Sequence, residues 1–108
     1  MANLHGITKS TRPIQKCSDE LFYIGDVACA VVKYDVRVRG HRLALYMDFG
    51  TIWEGGKHIA ILMLPTLHDL PRYIPFEVDN RVLGSTARSP QGAVPYVETM
   101  LTEAGISL

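Results

Sequence analysis

The stretch Val32-Lys33-Tyr34-Asp35-Val36-Arg37-Val38-Arg39-Gly40-His41-Arg42-Leu43-Ala44-Leu45-Tyr46-Met47-Asp48-Phe49 decides the fold. Apolar and polar residues alternate on either side of Gly40-His41, the pattern of two half-buried strands joined by a tight turn. With Gly40 first in a two-residue turn, as type II′ requires, Val38 faces Leu43 and Val36 faces Leu45. Tyr34 then faces Met47, and Val32 faces Phe49. All these pairs are apolar and share one side of the hairpin. The other side pairs Arg37 with Ala44, Asp35 with Tyr46 and Lys33 with Asp48. A slip of one residue would turn the whole apolar row into water, so the pattern specifies the face strongly.

Outward from this hairpin, glycine-led turns recur at Gly25-Asp26 and Gly55-Gly56, fifteen residues away on either side. They divide the chain into strands near 20–24, 27–39, 42–54 and 57–64. Short turns join only antiparallel neighbours, so a meander follows. The third turn sets Glu54 opposite Lys57 as an ion pair and Trp53 opposite His58. Gly50 marks a bulge or bend, because the apolar positions change parity between Phe49 and Ile52.

Alternation fails in two places. Val27, Cys29 and Val31 are apolar on the side that later carries Lys33, Asp35 and Arg37, and residues 59–64 are apolar on both sides. A strand apolar on both sides must be covered on both. One cover is a C-terminal helix over 93–105. Pro95 suits its first turn, Val97, Met100, Leu101 and Ala104 follow helical spacing, and Gly105 with Ile106 forms a Schellman-type ending. So short a helix covers only part of one face, and a second copy of the chain is expected to cover the rest as a homodimer. Residues 65–92 read as irregular, broken by Pro65, Pro71 and Pro75, with an edge strand at 76–78. Residues 1–19 carry the weakest signals and are expected to be partly mobile, with Ile7 and Ile14 as anchors. The expected fold is one α+β domain over 1–108. Its core is a four- or five-stranded antiparallel β-meander across 20–64, with the C-terminal helix packed on one face.

At 108 residues the chain has the size of one domain. Eleven basic residues balance eleven acidic ones, so no global field draws it to nucleic acid or an anionic membrane. The longest apolar run, 59–64, is far too short for a bilayer, and the N-terminus lacks a signal-peptide layout, so a cytoplasmic location is expected. Cys17 and Cys29 lack the spacing of a zinc or redox pair, and Cys29 reads as a buried free thiol.

Arg37, Arg39, His41 and Arg42 cluster at the tip of the central hairpin. With the turn at Gly40-His41, Arg39 and Arg42 face each other, a repulsion that a bridging phosphate, carboxylate or acidic partner surface relieves. The simpler account is a charged hairpin end that resists aggregation. Nucleic-acid binding is disfavoured, since no extended basic stripe with stacking aromatics is present. His58, set against Trp53 with Glu54 nearby, has the residue types of a general base or a grip on a polar ligand; a histidine packed on tryptophan is the simpler account. His68-Asp69, and the group Asp35, Tyr46 and Asp48, are weaker candidates for the same chemistry. In the polar segment 84–92, Arg88 beside a helix start suits an anion, although the segment lacks the ending of a Walker loop.

No catalytic motif, metal-ligand spacing or cofactor signature is present, so no catalytic residue, metal or cofactor is expected. The reading is a small non-enzymatic binding module acting as a homodimer on a small anionic ligand or a protein partner. The alternative is a small enzyme or small-molecule receptor, with Trp53, Tyr34, Met47 and His58 lining a cleft between sheet and helix or at the dimer seam.

Overall fold

The computed structural model describes residues 6–50, 53–65, 71–84 and 89–108. The described elements run β1 (Ile7–Lys9), β2 (Ile14–Ser18), β3 (Leu21–Ile24), β4 (Val27–Ala30), β5 (Val32–Val38), β6 (His41–Met47), β7 (Lys57–Leu64), β8 (Arg72–Asp79), α1 (Asn80–Leu83) and α2 (Pro90–Glu103). The strands form two antiparallel sheets, one of five strands in the order β1-β8-β7-β6-β5 and one of three in the order β2-β3-β4. The α+β class, the antiparallel meander and the C-terminal helix packed against strands all stand. No helix among the described residues is long and apolar enough to cross a membrane.

The first turn falls where expected. Ile24 pairs with Val27 across Gly25-Asp26, and Gly25 has the positive φ of 59° that a type II′ turn needs at its first position. The central turn differs. Val38 pairs with His41, so the turn residues are Arg39 and Gly40, at φ 52° and 80° in the manner of type I′. The register is therefore displaced by two residues, with Val36 against Leu43, Tyr34 against Leu45 and Val32 against Met47. A displacement of two keeps every side chain on its own face, which is why alternation alone cannot detect it. At the third turn Trp53 pairs with Lys57 around a three-residue loop, and the Trp53 N–H donates to the Lys57 carbonyl at 2.7 Å. Glu54 thus lies in the loop rather than opposite Lys57, and His58 pairs with Val78 rather than with Trp53. β6 ends at Met47 and Gly50 lies in a bend, as the parity change suggested.

The strand expected over 27–39 is two strands in two sheets. β4 pairs with β3, β5 pairs with β6, and the chain passes between the sheets at Val31, whose N–H donates to the Glu20 carbonyl at 2.9 Å. This crossing explains the failed alternation. Cys29 and Val31 are buried with Phe22, Ile24, Ala44, Tyr46, Ile59 and Ile61, whereas Val36 and Val38 belong to a second cluster on the other face of the five-stranded sheet. There they meet Leu43, Leu45, Leu62, Phe76 and the α2 residues Ala93, Val97, Met100 and Leu101. β7 is the central strand, and both of its apolar faces are covered by its own chain, one by α2 and the other by β2–β4. The argument for a second copy therefore loses its premise.

Residues 7–9 and 14–18 form β1 and β2, with Ile7 buried and Ile14 packed against the smaller core, so both act as anchors. The segment expected as an edge strand at 76–78 is part of β8, an interior strand between β1 and β7. Pro75 is tolerated there because its carbonyl accepts from the Ser10 N–H at 2.9 Å, so its missing donor points to the side where β1 ends and leaves the ladder to β7 intact. α2 begins earlier than the Pro95 signal indicated. Ser89 is the N-cap, its hydroxyl accepting from the Gly92 N–H at 3.1 Å, Pro90 occupies the first turn, and Pro95 lies inside the helix. Its end is the expected Schellman arrangement, with Ile106 N–H donating to the Leu101 carbonyl and Gly105 N–H to that of Thr102.

Candidate functional site

The hairpin of β5 and β6 projects a cationic tip. Arg37 and Arg42 are cross-strand partners, Arg39 occupies the turn, His41 follows it, and all four side chains are exposed. The facing pair is Arg37 with Arg42 rather than Arg39 with Arg42, a consequence of the two-residue displacement of register. Among the described residues no carboxylate lies within ion-pair distance of Arg37, Arg39 or Arg42. Like charges directly opposite cost roughly 0.2–1 kcal/mol. Arg39 adds backbone strain, being the non-glycine residue with positive φ among those described. For an L residue that conformation costs roughly 1–2 kcal/mol, and Asn or Gly fills it more readily. Beside the tip, Asp35 and Arg37 face Pro90, Gln91 and Val94 of α2 across a groove of about 250 Å³.

At the base of the same hairpin, cations are answered. Lys33 Nζ lies 3.7 Å from Asp19 Oδ2, and Lys16 Nζ lies 2.6 Å from Asp19 Oδ1. The Tyr46 hydroxyl donates to Asp19 Oδ1 at 3.4 Å, and Lys16 Nζ sits 5.7 Å from the Tyr46 ring centre and 5.4 Å from that of Tyr73. The hydrogen bond to Asp19 raises the Lys16 pKa above the ordinary lysine range, and the same contact holds the Asp19 carboxyl below its ordinary value. Sequence reading missed Lys16 and Asp19 because their meeting with Lys33, Tyr46 and Tyr73 depends on β2–β3 folding over the larger sheet.

The other candidates separate. His58 is 5% exposed, with Nδ1 3.3 Å from the Asp48 carbonyl and Nε2 3.1 Å from Asn80 Oδ1, so it fastens β7 to the end of β6 and the start of α1. Trp53, paired with Lys57, packs against the smaller core on the opposite face, under the Arg12 guanidinium at 4.8 Å. Arg12 in turn lies 4.0 Å from Glu77. Tyr34 and Met47 belong to the larger core. The cleft drawn from Trp53, Tyr34, Met47 and His58 thus takes residues from both cores, with Tyr34 and Met47 on the larger and Trp53 on the smaller. Tyr46 and Asp48 are buried beneath the smaller sheet while Asp35 is exposed, so these three share no open wall. Cys29 is buried and free; burial first, then Asp48, pushes its thiol up to about 12, far from a reactive thiolate. No group of three His, Cys, Asp or Glu side chains among the described residues is arranged to hold a metal ion. Arg88, His68 and Asp69 lie outside the described residues.

Comparison with protein-family models, with curated proteins and with solved structures found no significant match.

Proposed function

We propose that this protein is a non-enzymatic binding module that docks an anionic surface of a protein partner on the arginine tip of the β5–β6 hairpin. The observation that carries the reading is Arg39 itself. A turn position at φ 52° is filled with less strain by Asn or Gly, yet an arginine stands there between two further arginines that face each other. Local strain retained at an exposed turn is accounted for by what the guanidinium does outside the fold, and three guanidiniums with no carboxylate in reach among the described residues are suited to bidentate recognition of carboxylates.

A homodimer is not required by this reading. Both faces of β7 are covered within the chain, and the large apolar residues exposed among the described ones, Tyr23, Val27 and Val32, form no broad apolar face comparable to an obligate interface.

The test is the triple variant Arg37→Glu, Arg39→Glu, Arg42→Glu, titrated with fluorescent poly-glutamate at low and at near-physiological salt. The wild type is expected to bind more weakly as salt rises, and the variant to lose binding at least tenfold with its far-ultraviolet spectrum unchanged. Equal binding by both proteins would overturn the reading.

A further inference from the structure

We infer that the outer edge of β5 is a docking strand, and that the partner presents an extended acidic peptide segment which adds to the five-stranded sheet as a sixth strand. This inference rests on the arginine-tip reading and gives it a partner class and a geometry. In a two-residue hairpin the residues flanking the turn exchange both main-chain hydrogen bonds, and the bonded pairs recur at every second position. Val38, Val36, Tyr34 and Val32 therefore direct their main-chain groups to β6. The N–H and C=O groups of Lys33, Asp35 and Arg37 point away from it, along the edge of the sheet. None of them is engaged by the main-chain bonds made elsewhere among the described residues. They offer donors and acceptors over a length of about 14 Å, at 3.4 Å per residue.

The two edges of this sheet differ. β1 has three residues and stops where Pro75 removes a donor, whereas β5 runs for seven residues in unbroken register with no proline and no bulge. Natural edges are commonly blunted by such interruptions. Beside β5, the groove toward Pro90, Gln91 and Val94 leaves room for side chains on the helix side of an added strand, where Val32 is 49% exposed and Tyr34 half-buried. On the other side an added strand meets Lys33, Asp35 and Arg37, then Arg39 and Arg42 at the tip, which have no carboxylate within ion-pair distance among the described residues. Carboxylates suit the three arginine positions, whereas Lys33 already lies 3.7 Å from Asp19 and Asp35 is itself acidic.

A second copy fits this edge less well. Two-fold antiparallel pairing centred on Asp35 would set Asp35 against its own equivalent and Lys33 against Arg37. Pairing centred on Val36 would join Asp35 to Arg37 but set Lys33 against Arg39, and pairing centred on Tyr34 would join Lys33 to Asp35 but set Arg37 against Val31 and leave the arginines of the tip unanswered. Main-chain pairing with alternate side chains for specificity is a recurrent mode of peptide recognition, and here the charge pattern selects an acidic strand.

The experiment uses a fluorescein-labelled ten-residue peptide of alternating glutamate and valine, and the same peptide N-methylated at every second residue, which keeps the charge but removes the donors of one edge. The intact peptide is expected to bind and the N-methylated one to bind at least tenfold more weakly. The variant Asp35→Pro, tolerated at an edge whose N–H faces solvent, is expected to lose the intact peptide while still binding poly-glutamate through the tip. Amide exchange at Lys33, Asp35 and Arg37 is expected to slow on binding. Equal affinity for the two peptides overturns strand addition and leaves the tip reading standing. Loss of poly-glutamate binding in the wild type would overturn both. A dimer in sedimentation that Asp35→Pro dissolves would assign the edge to a second copy and overturn the peptide. Should Asp35→Pro fail to fold, the pair of peptides tests the inference on the wild type alone.

Discussion

The base and the tip of the β5–β6 hairpin are built from the same two strands yet follow opposite rules. At the base, Leu45 and Met47 are buried under α2, while Ala44 and Tyr46 are buried under the smaller sheet. The cation there, Lys33, lies within reach of Asp19. At the tip, a few residues further along, Arg37 faces Arg42, Arg39 is held in a left-handed turn, and no carboxylate among the described residues answers any of them. Local choices that agree with the global fold are what make a sequence foldable, and departures from that agreement collect where a protein meets something else. The base is explained by the fold. The tip is not, and that contrast is the main reason to place the function there.

The comparison can be broken at the base with large effect. Leu45→Ala removes a side chain that is 1% exposed at the centre of the larger core and is expected to cost about 2–5 kcal/mol, read as a lowered denaturation midpoint at unchanged slope. The triple reversal at the tip is expected to leave that midpoint nearly where it was. A loss at the tip comparable to that of Leu45→Ala would mean that the arginines serve the fold after all.

A smaller effect sharpens the contrast by pH. The Asp19 carboxyl is held below its ordinary value of 3.8, chiefly by its hydrogen bond to Lys16 and then by the charges of Lys16 and Lys33. A depressed carboxyl adds stability that is fully present above its unfolded pKa and lost as pH falls through the folded one. Stability is therefore expected to decline as pH falls from about 4, and Asp19→Asn to flatten part of that decline. Because Asp19 is exposed, the effect is small. Neutralising the tip arginines is expected to leave the acid limb unchanged, since no carboxylate among the described residues is paired with them.

Much of this was legible in the residues. The apolar row of the central hairpin, the Gly25-Asp26 turn and the Gly105-Ile106 helix ending all follow from local chemistry, and local chemistry acts the same way in any context. The exact register of the hairpin was not legible, because Arg39-Gly40 and Gly40-His41 turns bury the same face. The cover of β7 was legible as a need and not as an answer. Ile59 and Ile61 say that something lies over them, but only the crossing at Val31 shows that β2–β4 fold back to do it. The helix start was misplaced because Pro90 and Pro95 both suit a first turn, and the Ser89 cap decides between them only in three dimensions. The pairing of His58 with Trp53 failed for a single added loop residue, Glu54, which moved the two side chains to opposite faces of the sheet.

The measurement that tests the central claim most directly is one substitution read twice. Arg39→Gly relieves the left-handed turn and removes one guanidinium. If the residue is there for a partner, thermal stability rises by about 1 kcal/mol, a few degrees in a domain of this size, while affinity for poly-glutamate falls severalfold. A rise in stability with affinity unchanged would contradict the account, since the strain at Arg39 would then serve nothing that the tip binds.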